Sequence, residues 1–173
     1  MINAEAYIKQ VHHPLGIYSL KQALVCTANF AIAGIGLLLW CFVMYPGHIL
    51  ITLLCLPMIL MLYASLAWGI TTVSSFINIK YRDFQQMMGL ILQAVWFVSP
   101  VYFEPKIFIA AGMPGLVEYN PVTHLLNILR NPLLEGTFPT CNDIFLTLGL
   151  IAFFGIWAVL KIRKEERDMI FYL

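Results

Sequence analysis

The chain carries little that could do covalent chemistry. It has four histidines, four cysteines and nine Asp plus Glu in 173 residues. His12-His13 is the one adjacent pair that could suggest a metal site. Neighbours on a helix point apart, and no nearby Cys, Asp or Glu completes a ligand set, so no metal is expected. His48 and His124 stand alone and read as polar residues at a membrane interface. Cys26, Cys41 and Cys55 lie inside apolar stretches and no CxxC occurs, so they read as small core or lipid-facing residues rather than a disulfide framework. No GxSxG, HExxH or glycine-rich phosphate loop is present, which argues against ATP hydrolysis or intramembrane proteolysis by this chain. Paired acidic residues of the kind a membrane-bound glycosyl-transfer enzyme needs are not evident either.

The aromatic residues say more. Phe30, Trp40, Tyr63, Trp68, Trp96 and Phe97 are spread over uncharged stretches. Two readings stand for them: lipid anchors and packing residues, or an uncharged path on whose aromatic faces sugar rings could stack. The one compact charged motif is the elbow Asn78-Ile79-Lys80-Tyr81-Arg82-Asp83-Phe84, set between long apolar segments.

What must position these residues is a membrane. The chain is 61% hydrophobic and 11% charged, with mean hydropathy +0.83; a soluble domain is about a quarter charged. The net charge of +1 argues against a nucleic-acid partner, which wants a basic face. Residues 22–79 contain no Asp, Glu, Lys or Arg. A span needs about 20 apolar residues, so this run holds two, expected at 19–44 and 49–77 and broken by Tyr45-Pro46-Gly47-His48. Pro57 should bend the second. Further spans are expected at 85–103 and 143–160, giving an all-α integral membrane protein with four transmembrane helices, read as one domain over 1–173. Pro100, near the end of the third, removes a backbone donor and should kink or end it. Residues 105–136 are rich in Pro and Gly, and their apolar pieces are too short to cross a bilayer. They read as two short helices dipping towards the membrane or lying on it, with Asn120 as N-cap and Pro121 in the first turn.

Residues 4–13 place Ala4, Tyr7, Ile8 and Val11 on one helical face, so this helix either lies on lipid or meets a soluble partner. The start of the chain has neither a basic n-region nor an apolar h-region, so no signal peptide is expected. Eight of the ten Lys and Arg (Lys9, Lys21, Lys80, Arg82, Lys161, Arg163, Lys164 and Arg167) fall in the segments proposed as inner, against Lys106 and Arg130 outside. The positive-inside rule then puts both termini, the 78–84 elbow and the 161–173 tail in the cytoplasm.

The elbow, the run Phe97-Val98-Ser99-Pro100-Val101-Tyr102, the run Tyr119-Asn120-Pro121 and the segment Leu129-Arg130-Asn131-Pro132-Leu133-Leu134-Glu135-Gly136 together resemble the ABC-2-type permeases. The nearest branch is the exporters of O-antigen and capsular polysaccharide. The resemblance covers nearly the whole chain and corresponds to the last two thirds of such a permease, whose members usually carry an amphipathic helix and two further spans before this point. It implies a transport subunit, not an enzyme, in a bacterial inner membrane, working as a homodimer. It implies an ABC ATP-binding partner subunit that holds ATP and Mg, with no cofactor on this chain, and a lipid-linked polysaccharide as cargo. The partner would grip Tyr7, Ile8, Lys9 and His12 in a coupling helix at 4–13, and Asn78, Tyr81, Arg82 and Asp83 in the elbow. Pro100, Tyr102, Asn120, Pro121 and Arg130 would belong to an external gate formed by a re-entrant hairpin over 105–136. Another ABC-2 cargo (a drug, teichoic acid or glycolipid) and a non-transport membrane assembly or anchoring protein are the alternatives.

Overall fold

The computed structural model of the protein describes residues 16–81, 83–99, 112 and 115–165. Every regular element among them is helical. Helix α1 is Gly16–Met44, a 3-10 turn follows at Pro46–His48, and α2 is Ile49–Lys80. Helix α3 is Phe84–Val98, α4 is Gly115–Glu118 and α5 is Pro121–Arg130. A π-turn, Asn131–Glu135, and the helix α6, Cys141–Glu165, complete the order. The expected coupling helix with Tyr7, Ile8, Lys9 and His12 lies outside the described residues, as do Arg82, Pro100 and Tyr102.

Among the described residues three helices are long and apolar enough to cross a membrane: α1, α2 with its preceding turn, and α6. At 1.5 Å per residue they measure about 44, 48 and 38 Å, longer than the roughly 30 Å of bilayer hydrocarbon. Their surfaces match that solvent: Val43 is 75% and Leu50 81% exposed. The segment expected at 85–103 is described as the 15-residue α3, with Ser99 in a turn after it. The residue before a proline is pushed out of the α region, which accounts for a helix stopping short of Pro100. No residue of α3 is buried.

Local chemistry sets the ends. Tyr45 precedes Pro46 and leaves the helical region (φ −134°, ψ 65°), and its N–H closes the last turn of α1 on the Cys41 carbonyl at 2.7 Å. Helix α2 continues through Pro57, and the expected ends at 77 and 160 are passed by three and five residues.

The chain divides into two compact units. The first comprises Met1–Gly36, Leu60–Phe84 and Gly149–Leu173. Here Ser19 donates to the Gly16 carbonyl at 2.9 Å, and the Thr72 hydroxyl lies 2.9 Å from Ser19 Oγ and 2.7 Å from the Trp68 carbonyl. Both side chains are buried, as are Phe76 and Ala158. Gly69 sits so close to α6 that a Cβ there would lie 2.9 Å from Phe154 Cβ, the close helix approach that small residues permit in membranes. The second unit comprises Leu37–Ile59 and Gln85–Leu148, and holds α3, α4, α5 and the π-turn.

Candidate functional site

In the second unit the short elements are tied to the spans by side-chain donors. Pro132 has no N–H to offer the Ile128 carbonyl, and there the helical ladder loosens from an i+4 to an i+5 register. The π-turn closes with the Gly136 and Thr137 N–H groups, both on the Asn131 carbonyl. This leaves the carbonyls of Pro132 and Leu133 needing donors. Thr52 of α2 lies 2.8 Å from the first and Cys41 Sγ of α1 2.9 Å from the second. Thr52 has one hydroxyl proton and also faces the His48 carbonyl at 2.9 Å, so it shares that proton between two acceptors.

Gly136 ends the turn in the left-handed conformation (φ 63°). The His48 ring lies against it: a Cβ on Gly136 would stand 2.5 Å from His48 Cδ2. His48 in turn stacks on Tyr45, centroids 5.5 Å apart and planes 4° from parallel, and Trp40 meets Tyr45 edge-on at 6.1 Å. His48 is therefore a packing element of the turn and does not stand alone as the sequence suggested.

Asn120 behaves as its position predicts. Its Oδ1 accepts the Val122 N–H at 3.0 Å, a cap worth about 1 kcal/mol. Its Nδ2 also donates to Ser99 Oγ at 3.0 Å, and Ser99 is fully buried. Pro121 occupies the first turn of α5 and Arg130, half-buried, the last, where a cation suits the helix dipole. Between α3 and the start of α5 lies an open cleft of about 470 Å³, lined by Val95, Val98, Ser99, Tyr119, Asn120 and Val122 among others.

His124 corrects a second expectation. It does not stand alone: it is 8% exposed and both ring nitrogens have partners. Its Nδ1 lies 2.6 Å from Asp143 Oδ1, and its Nε2 lies 2.9 Å from the Glu118 carbonyl oxygen. Asp143 is itself buried, in the first turn of α6. Neither Asp143 nor the donors Cys41 and Thr52 stand out in the sequence, because their partners lie 19, 92 and 80 positions away.

The elbow is partly described. Lys80, Tyr81 and Asp83 are exposed, Tyr81 at 61%. Tyr81 N–H donates to Ile77 at 2.8 Å, and its carbonyl accepts the Phe84 N–H at 3.1 Å. Asn78 Oδ1 is buried with no hydrogen-bond partner among the described residues.

The six candidate aromatics divide between the units. Phe30, Tyr63 and Trp68 belong to the first; Phe30 and Tyr63 meet edge-on at 5.2 Å. Trp40, Trp96 and Phe97 belong to the second, and Trp96 and Phe97 are exposed on α3. Comparison of the chain with family models, with curated proteins and with solved structures finds no match.

Proposed function

We propose that this chain is the membrane permease subunit of an ATP-driven exporter of the ABC-2 type, moving a lipid-linked polysaccharide (O-antigen or capsular) outward across a bacterial inner membrane. The observation that supports this reading best is the bond from Asn120 to Ser99. It joins two of the motifs that carry the resemblance, Ser99-Pro100 and Asn120-Pro121, from separate stretches of chain. The third, Asn131 to Gly136, is held in the same unit by Cys41, Thr52 and His48.

In this proposal four helices span the membrane, with α3 as the described part of the third span at 85–103. Both termini and the elbow face the cytoplasm. A separate ATP-binding subunit holds ATP and Mg, grips the elbow and the coupling helix at 4–13, and works two copies of the permease. The re-entrant hairpin over 105–136, with Pro100, Tyr102, Asn120, Pro121 and Arg130, is the external gate, and uncharged aromatic faces line the path.

The test is deletion of the gene in its native cells, followed by complementation. The expected result is loss of surface polysaccharide with lipid-linked polymer accumulating inside, restored by the wild-type chain and not by Asn120→Leu. Accumulation of a different lipid-linked compound would reassign the cargo. Unchanged export of every such compound would leave an assembly or anchoring role.

A further inference from the structure

We propose that His124, Asp143 and the Glu118 carbonyl form a proton-dependent latch that fastens α4 and the start of α6 to α5. It stands on the geometry of these groups and does not depend on the cargo or on the exporter reading.

The argument is a count of protons. A neutral imidazole has one N–H and one bare nitrogen; an ionised carboxylate and a backbone carbonyl only accept. His124 Nδ1 faces Asp143 Oδ1 at 2.6 Å and Nε2 faces the Glu118 oxygen at 2.9 Å. Two acceptors on one neutral ring leave one nitrogen lone pair pointing at an oxygen lone pair. Both contacts are hydrogen bonds only when the group holds one more proton. That proton sits on the imidazole, which then donates twice, or on Asp143, which then donates to Nδ1. Either way the buried pair is neutral overall with the proton and singly negative without it. A buried net charge without compensation is costly, and there is little water to relieve it, because His124 and Asp143 are 8% and 5% exposed.

The position makes the count matter. Asp143 lies in the first turn of α6, where the helix dipole favours a carboxylate. The weaker contact is therefore the one to the neutral Glu118 carbonyl. When the proton leaves, the remaining N–H stays with Asp143 and the bond to α4 is lost. The other titratable side chains described on these and the adjoining elements are Arg130 at the far end of α5, His48 in the 3-10 turn, the exposed Glu118, Tyr119, Glu135 and Cys141, and Lys161, Arg163 and Lys164 towards the far end of α6. Arg130 is six residues from His124, about 9 Å along the helix. The sign is definite: the latch is closed at low pH and opens as pH rises.

Hydrogen exchange at the Tyr119 amide reads it. That N–H closes α4 on the Gly115 carbonyl at 3.1 Å. The full chain in lipid nanodiscs is compared at about pH 5.5 and about pH 8.5, with each rate divided by the free-peptide rate at that pH. Protection in the wild type should fall about tenfold or more at the higher pH, the worth of one hydrogen bond from a charged donor. Asp143→Asn is the decisive variant. Its carboxamide N–H₂ donates to Nδ1 and leaves Nε2–H for Glu118, so both contacts are met with no extra proton. This variant should stay protected at both pH values. Equal wild-type protection at the two pH values would overturn the latch. So would an Asp143→Asn chain that loses protection as the wild type does.

Discussion

The thiol of Cys41 donates to the backbone carbonyl of Leu133 at 2.9 Å, 92 positions along the chain. Thr52 does the same for Pro132 at 2.8 Å, across 80 positions. Two adjacent carbonyls freed by the π-turn are thus each met by a side chain from a different apolar helix. All four residues are buried, so a lost donor strands an acceptor with no water to replace it.

Thr52→Val keeps the shape and removes that donor. It should cost about 1–3 kcal/mol, the penalty of an unsatisfied buried acceptor, read as a lower thermal midpoint in detergent. Thr52→Ser keeps the hydroxyl and should stay close to the wild type. Equal midpoints for the Val and Ser variants would mean that the carbonyls do not need the bond.

Gly136 carries two separate constraints. Its positive φ disfavours any L side chain by about 1–2 kcal/mol, and a Cβ would overlap the His48 ring at 2.5 Å. Gly136→Ala should therefore be among the most damaging small changes in the second unit. In a His48→Ala background the overlap disappears and only the backbone cost remains, so the two substitutions should be strongly non-additive. Additive losses in a double-mutant cycle of thermal stability would show that the ring is not what the new methyl meets.

Local signals were legible in the sequence and distant partnerships were not. Asn120-Pro121 announces a helix start because cap and proline act within one turn of themselves, and Asn120 does bind the Val122 N–H. The long spans are legible from the charge-free 22–79 stretch, because a bilayer demands length and apolarity of any sequence. The π-turn is not, since its carbonyls are met by Cys41 and Thr52, which look like ordinary residues of apolar helices. His124 looks isolated for the same reason. Nothing near it in the chain is acidic except Glu118, and Glu118 contributes its carbonyl. The latch partner, Asp143, opens the last apolar helix and reads there as a simple helix-start carboxylate.

Glycines on the long helices divide into two kinds. At Gly69 a Cβ meets Phe154 Cβ at 2.9 Å and backbone atoms of Phe154 and Gly155 at 3.1 and 3.2 Å. Backbone cannot rotate away, so Gly69→Ala must push α2 and α6 apart and lower the thermal midpoint. At Gly155 nothing lies within 4 Å of the added atom. Gly155→Ala should be neutral or stabilising by up to about 1 kcal/mol, the helix-propensity difference. A Gly69→Ala chain as stable as Gly155→Ala would contradict the close approach.

The elbow tests orientation and coupling together. Lys80 and Gly115 are both exposed, and the proposed topology puts them on opposite sides of the membrane. With the exposed Cys26 and Cys141 replaced by Ser, Gly115→Cys should react with an impermeant maleimide added to intact cells. Lys80→Cys should react only after the cells are opened. Labelling of position 80 from outside would reverse or remove the proposed orientation. Tyr81 then separates folding from function. It is 61% exposed between Lys80 and Asp83, so Tyr81→Ala removes almost no packing and should change stability by no more than about 0.5 kcal/mol. An aromatic side chain left outward at the end of a span, on the side the proposal assigns to the cytoplasm, is well suited to anchor a contact with a soluble subunit. If the ATP-binding partner grips the elbow, Tyr81→Ala should insert normally, keep its thermal midpoint, and export at most a tenth as much, about the effect of losing 1.4 kcal/mol of contact. Unimpaired export by a stable Tyr81→Ala chain would remove this residue from the coupling surface.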